Sequence, residues 1–167
     1  MANQQHLAML KGSIEDWNEW RQIHHEIRPD LSGADLKGAQ LPRIDLSHAL
    51  LNNADLTGAN LMEAMLSNAD FSDATLNKAN LSNADLNGAI LRAAIVSEAD
   101  LRSAILTHAD LTDADLYGAS LRGADLEGTI MPGANFSEAD LSDVDLTKAH
   151  TQGARLLKAY FFRRNEG

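Results

Sequence analysis

The chain has 167 residues, a formal net charge of −10, only two Trp, two Tyr and four Phe, and no Cys. That length predicts one domain with a continuous core, and the lack of Cys excludes disulfides and thiolate metal sites. An acidic chain with no basic groove or stacking aromatics would repel phosphates, which argues against direct nucleic-acid binding.

Met1 to Ser13 holds no long apolar run after basic residues. Neither a signal peptide nor a membrane span is expected, and a soluble cytoplasmic protein is the default. Residues 1–28 read as helical. Gln4 to Leu10 suits a short first helix stopped by Gly12, and Ser13-Ile14-Glu15-Asp16 resembles a capping box that opens a second. Trp17, Trp20, Ile23 or His24, and Ile27 then recur at helical spacing, with Pro29 as the expected end.

From Pro29 to Phe161 a large apolar residue returns at every fifth position without insertion or deletion. Of the 27 positions from Leu31 to Phe161, 21 are Leu; two residues before each, from Ala34 to Ala159, 23 of 26 are Ala. Such a repeat outranks local propensities. On an α-helix five steps of about 100° turn the side chain by roughly 140°, so these Leu would scatter around the cylinder. In a straight strand an odd period sends them to alternate faces. The chain must therefore turn once per repeat.

Ala and Leu, two apart, point inward from a very short extended triplet, and the residue between them points to water. That outward residue is Asp at twelve and Asn at three of 27 positions. The last residue of the repeat is Gly at nine, Asn at three and Asp at three of 26 positions, residues that accept positive φ. Pro132-Gly133 supplies both central residues of a type II turn. Corners of one sense wind the chain into a β-solenoid with coils about 4.8 Å apart, and the geometry leaves three or four sides per coil open.

The tandem pattern A-(D/N)-L-x-x, as in Ala34-Asp35-Leu36-Lys37-Gly38 and Ala54-Asp55-Leu56-Thr57-Gly58, resembles the pentapeptide repeat family over about four-fifths of the chain. The resemblance implies an all-β solenoid, a right-handed quadrilateral β-helix of nearly seven coils, with a short α-helical N-terminal cap. The boundaries are then 1–28 for the cap, 29–161 for the β-helix and 162–167 for a C-terminal tail. Trp17 and Trp20 cover the apolar end of the first coil, and a Trp-x-x-Trp-Arg helix in that place is similar to cyanobacterial members.

No catalytic constellation emerges. On a four-sided coil Asp35 lies beside Asp55, and Asp125 beside Asp145, at roughly 5 Å, a separation within the range of a glycosidase carboxylate pair. The same ladder arises wherever the repeat has Asp, and flat faces exclude no water. His24 and His25 are adjacent, while His48 and His108 lie three coils apart, beyond about 14 Å. No catalytic, metal or cofactor site is assigned, and the chain reads as a non-enzyme.

What remains is a binding surface, and a protein-interaction scaffold with an unidentified protein partner is the expected function. Six outward positions are apolar: Leu50, Met65, Ile90, Ile95, Ile105 and Ile130. Ile90, Ile95 and Ile105 fall on one predicted coil, on three of its four faces, and this girdle at one level, with Arg102 and Arg122 stacked beside it, is the candidate partner surface; the alternative is that β-branched Ile simply suits a strand. Tyr160, Phe161 and Phe162 form a second aromatic cluster, read as a C-terminal cap or as a homodimer contact, since some family members dimerise there. The chain is expected to be a monomer or a C-terminal homodimer.

Charge adds one more reading. Residues 48–147 hold sixteen acids and four bases, whereas 148–167 hold five bases and one acid, so an acidic shaft carries a basic tip. Some family members protect DNA gyrase as acidic mimics of duplex DNA, and the resemblance makes binding to gyrase the alternative function. This chain lacks the long C-terminal dimerisation segment of those members and the loop that interrupts the repeats in several of them.

Overall fold

The structure, a computed structural model, describes residues 1–162. Its architecture follows from where the five N–H groups of each repeat go. The first closes the corner: Ala34 N–H donates to Leu31 O at 3.0 Å, and Ala89 N–H to Leu86 O at 3.0 Å. The third residue of this four-residue turn has positive φ at the described corners from Gly33 to Lys158, Lys148 excepted. Asn53 at 59° and Glu98 at 58° adopt it as fully as Gly58 at 65°. For a non-glycine residue that conformation costs roughly 1–2 kcal/mol, so the repeat imposes it.

Leu and Ala are both turn residues, which leaves one residue per side to pair with the next coil. Single parallel bridges therefore replace the short strands expected from the sequence. Asp30 pairs with Leu50, Asp35 with Asp55, Gln40 with Asn60 and Asp45 with Met65, and the pattern runs on to Asp140 with Tyr160. Four such bridges complete a coil, so we number its faces one to four from Asp30, Asp35, Gln40 and Asp45. Three more N–H groups build the ladder: Asp55 N–H to Ala34 O at 2.9 Å, Leu36 N–H to Asp55 O at 2.8 Å, and Gly38 N–H to Thr57 O at 2.9 Å. Between Asp125 and Asp145 no bridge forms, and Gly128 N–H reaches Lys148 O at 3.1 Å.

The fifth N–H belongs to the first corner residue, and the outward side chain takes it. Every Asp and Asn at the outward position accepts, through Oδ1, the N–H two residues on, at distances from 2.9 Å for Asp45 and Ser47 to 3.3 Å for Asp35 and Lys37. This Asx turn corrects the expectation that the side chain simply faces water. It bends back onto its own corner, so in a repeat such as that of Asp55 all five donors are satisfied.

Inside, the Leu and Ala columns are buried from Leu31 to Leu141 except at the half-buried Ala39, with Phe71 and Phe136 standing in two Leu positions. Thr129 replaces Ala at full burial, and its hydroxyl donates to Leu106 O at 2.9 Å.

At the N-terminal end, α1 (Gln4–Leu10) and α2 (Ile14–Ile23) lie over the first coil. Asn3 Oδ1 accepts from Gln5 and His6 N–H, and Ser13 Oγ accepts from Asp16 N–H at 3.0 Å. Helix α2 stops at Ile23 instead of running to Pro29, because the Arg21 guanidinium binds the carbonyls of His24 and Ile27, at 3.2 and 2.7 Å. Ile23 is accordingly exposed, outside the helical stripe read from the sequence. No helix among the described residues is long and apolar enough to cross a membrane.

These N-terminal residues also supply the partners a preceding coil would give. On the first face Asn3 N–H donates to Asp30 O at 2.9 Å, and Asp30 N–H donates to His6 Nδ1 at 3.0 Å. On the fourth, Trp17 Nε1–H donates to Asp45 O at 2.7 Å while Asn18 Oδ1 accepts Asp45 N–H at 2.9 Å. Arg21 and Arg28 reach Ser47 O and His48 O. An open ladder edge is a template for pairing, and on these two faces the first coil does not present one.

Candidate functional site

The structure places Ile90, Ile95 and Ile105 on one coil but on three faces, so they point away from one another. Ile90 on the first face bridges Asp70 and Asp110, Ile95 on the second bridges Thr75 and Asp115, and Ile105 on the fourth bridges Asp85 and Asp125. They form no common patch.

A different grouping appears along the axis. The first face carries Leu50, Ile90 and Ile130 in alternation with Asp70 and Asp110. The fourth face carries Met65 and Ile105 in alternation with Asp45, Asp85 and Asp125. Third-face outward residues are polar from Gln40 to Asp140, and the second face has Ile95 alone. Apolar side chains thus gather on two adjoining faces at every second coil. Reading every eighth repeat together would have exposed this forty-residue period; reading along one coil hides it.

Arg102 and Arg122 do lie together, along an open groove of about 510 Å³ at the corner between the third and fourth faces. Neither is an uncommitted cation: Arg102 forks onto Asp100 at 2.8 and 2.6 Å, and Arg122 Nε lies 3.5 Å from Asp143. A second open groove, of about 460 Å³, is lined by Ile130, Pro132, His150 and Gln152 on the first face.

The carboxylates suit corner support better than acid–base work. Hydrogen bonds from Ser32 hold Asp30 below the usual carboxylate range, bonds from Thr57 do the same for Asp55, and the Arg102 guanidinium does so for Asp100. Burial pushes Asp110 up, but bonds from Thr112 and Arg92 outweigh it. No cluster able to hold a metal ion occurs among the described residues.

At the two ends the outcomes differ. Trp17 is fully buried, and Trp20 packs beside it at 5.4 Å between ring centroids and stacks on His24. Arg21, which the sequence reading missed, is 3% exposed and lies 3.7 Å from Asp45. Tyr160, Phe161 and Phe162 are 64%, 57% and 67% exposed, with Leu157 beside them at 71%. They do not close the last coil, where Leu146, Leu156 and Ala159 are only partly buried. Of the tail 162–167, Arg163 onward lies outside the described residues.

The family model described as pentapeptide repeats matches in eight copies, over residues 30–68, 55–92, 94–131 and 119–161. Among solved structures the chain is similar to HetL, a pentapeptide repeat protein involved in heterocyst differentiation regulation from the cyanobacterium Nostoc sp. strain PCC 7120. The two share 31% identity over 80% of this chain and 74% of that one, with a TM-score of 0.50. Rfr23 from the cyanobacterium Cyanothece 51142 is 25% identical over 86% of this chain and 92% of its own, also at 0.50. A trypsin-treated form of QnrB1, a plasmid-mediated fluoroquinolone resistance protein, is 21% identical over 80% and 77%, with a TM-score of 0.51, a likeness of fold alone. A search of curated protein sequences finds no significant match.

Proposed function

The chain belongs to the pentapeptide repeat family of right-handed β-helices, and from that premise we propose that it is a rigid, non-catalytic protein-interaction scaffold. One observation carries the reading. The outward Asp and Asn side chains are engaged by their own corners, so the apolar residues at outward positions are departures that the corner geometry does not require. A general acid needs a raised pKa, whereas each carboxyl shift named above is downward. The N-terminal helices serve as the cap of the first coil, through Trp17, Asn18 and Arg21.

DNA mimicry toward gyrase draws less support. The Asp at outward positions has a structural reason to be there, and the acidic rows of the first and fourth faces are broken by Leu, Met and Ile at alternate coils.

We also propose that two copies associate through their last coils. Leu157, Tyr160, Phe161 and Phe162 offer an apolar end, while the N-terminal end is occupied by its own helices. The scaffold reading is tested by chemical crosslinking in a lysate of the source organism followed by affinity capture and mass spectrometry, with an unrelated solenoid as control. A heterologous protein held by this chain and not by the control is expected; none held would overturn the reading.

A further inference from the structure

We propose that the edge shared by the fourth and first faces binds a basic amphipathic α-helix of a partner protein. The inference rests on the scaffold reading and names its surface. Leu50, Ile90 and Ile130 repeat at every second coil of the first face, with Met65 and Ile105 beside them on the fourth. Met65, Ile105 and Ile130 are between 43% and 45% exposed. Two coils span about 9.6 Å, and the occupant must present apolar groups at that interval.

An extended strand laid along the axis repeats on one side at about 6.7 Å and falls out of step at once. A helix brings residues seven apart to one side at about 10.5 Å. Laid along the axis, that repeat differs from the two-coil interval by only about 0.9 Å. Two repeats then span the distance from Leu50 to Ile130.

Charge selects the other half of the helix. Asp70 and Asp85 stand between the apolar positions and have no basic partner within ion-pair distance among the described residues. Asp70 is engaged by Ser72, and Asp85 by Asn87 and Ser67, so both carboxylates are held in place beside Ile90, Leu50, Met65 and Ile105. Lys or Arg between the apolar anchors of the partner would meet them. A second copy of this chain would set acid against acid at the same positions, and a nucleic acid would be repelled.

The test is fluorescence anisotropy with a labelled 21-residue peptide carrying Leu at every seventh position and Lys on either side of each Leu. Saturable binding to the wild type is expected. The double variant Leu50→Asp/Ile90→Asp should bind at least tenfold more weakly even though it adds negative charge, while Ile95→Asp on the second face should bind as the wild type does. The double variant should keep its fold, since the new carboxylates can accept the N–H groups of Asn52 and Arg92, and circular dichroism melting verifies this. No saturable binding, equal affinity for the double variant, or equal affinity for a permuted peptide of the same composition each overturns the proposal. The scaffold reading is decided separately, by whether crosslinking captures any partner of the wild type.

Discussion

Ile130 stands two residues before Pro132, and the relation explains an apolar residue where Asp is usual. Proline has no N–H, so that corner offers the outward residue nothing to accept. Gln40 and Pro42 repeat the arrangement. Leu50 and Ile90 are different, because Asn52 and Arg92 do carry an N–H, and no side chain accepts either one among the described residues. Leu50→Asn should therefore gain a corner bond that Ile130→Asn cannot. The difference between the two variants is expected to be about 0.5–1.5 kcal/mol in favour of Leu50→Asn, read as unfolding free energy in urea. Because both lose an outward apolar side chain, that common loss largely cancels, and equal stabilities would refute the role given to the Asx turn.

How far the sequence announces this fold depends on which residues are asked. The Leu and Ala columns and the positive-φ corners can be read from the five-residue period, and Ser13 and Gly12 mark the helix ends. The Asx turn cannot: composition says that Asp points outward, but only the corner geometry shows that its Oδ1 meets the N–H two residues on. Arg21 was missed because a charged residue on a short helix reads as solvated, whereas here its guanidinium serves three carbonyls at the edge of the first coil. The axial grouping of the apolar residues was missed for a related reason. Neighbours on a solenoid lie twenty residues apart, so Ile90 belongs with Leu50 and Ile130 more than with Ile95.

Inside and outside should respond very differently to truncation. Leu86 is fully buried between coils, and Leu86→Ala should cost about 2–5 kcal/mol through lost burial and the cavity it leaves. Its neighbour Asn87 sits on the corner, with its side-chain amide bonded to the Thr107 hydroxyl. Asn87→Ala removes one partly exposed bond and should cost about 1 kcal/mol or less. Chemical denaturation of the two variants measures both, and similar losses would mean that the inward column is wrongly assigned.

Acid should loosen the stack in a defined window. The carboxyls of Asp30, Asp55, Asp100 and Asp110 are held below the usual carboxylate range in the folded state. A group whose folded pKa is depressed adds stability above its unfolded pKa and loses it as pH falls through the folded one. The melting temperature should accordingly be flat between about pH 7 and pH 5 and fall below about pH 4. Asp55→Asn and Asp100→Asn keep the Oδ1 acceptor but not the charge, so they should flatten that fall. A wild type whose melting temperature rises on acidification through this range would contradict the assignment.

The last coil should decide the oligomeric state. Trp17, Asn18 and Arg21 engage the fourth-face edge of the first coil, and Asn3 and His6 engage the first-face edge, so head-to-tail stacking of copies is obstructed at the N-terminal end. A tail-to-tail contact uses the same patch on both partners, which closes the assembly as a two-fold dimer instead of a fibre. Burying Leu157, Phe161 and Phe162 would cover three exposed apolar side chains at that end, each contributing on the order of 1.5–3 kcal/mol if fully covered. Sedimentation equilibrium of the wild type should therefore report a dimer at micromolar concentration, and the triple variant Leu157→Ser/Phe161→Ser/Phe162→Ser a monomer of unchanged circular dichroism. Ile95→Ser, far from the end, should leave the dimer intact. A wild type that sediments as a monomer across that range removes the dimer and leaves the aromatic end to be explained by another partner.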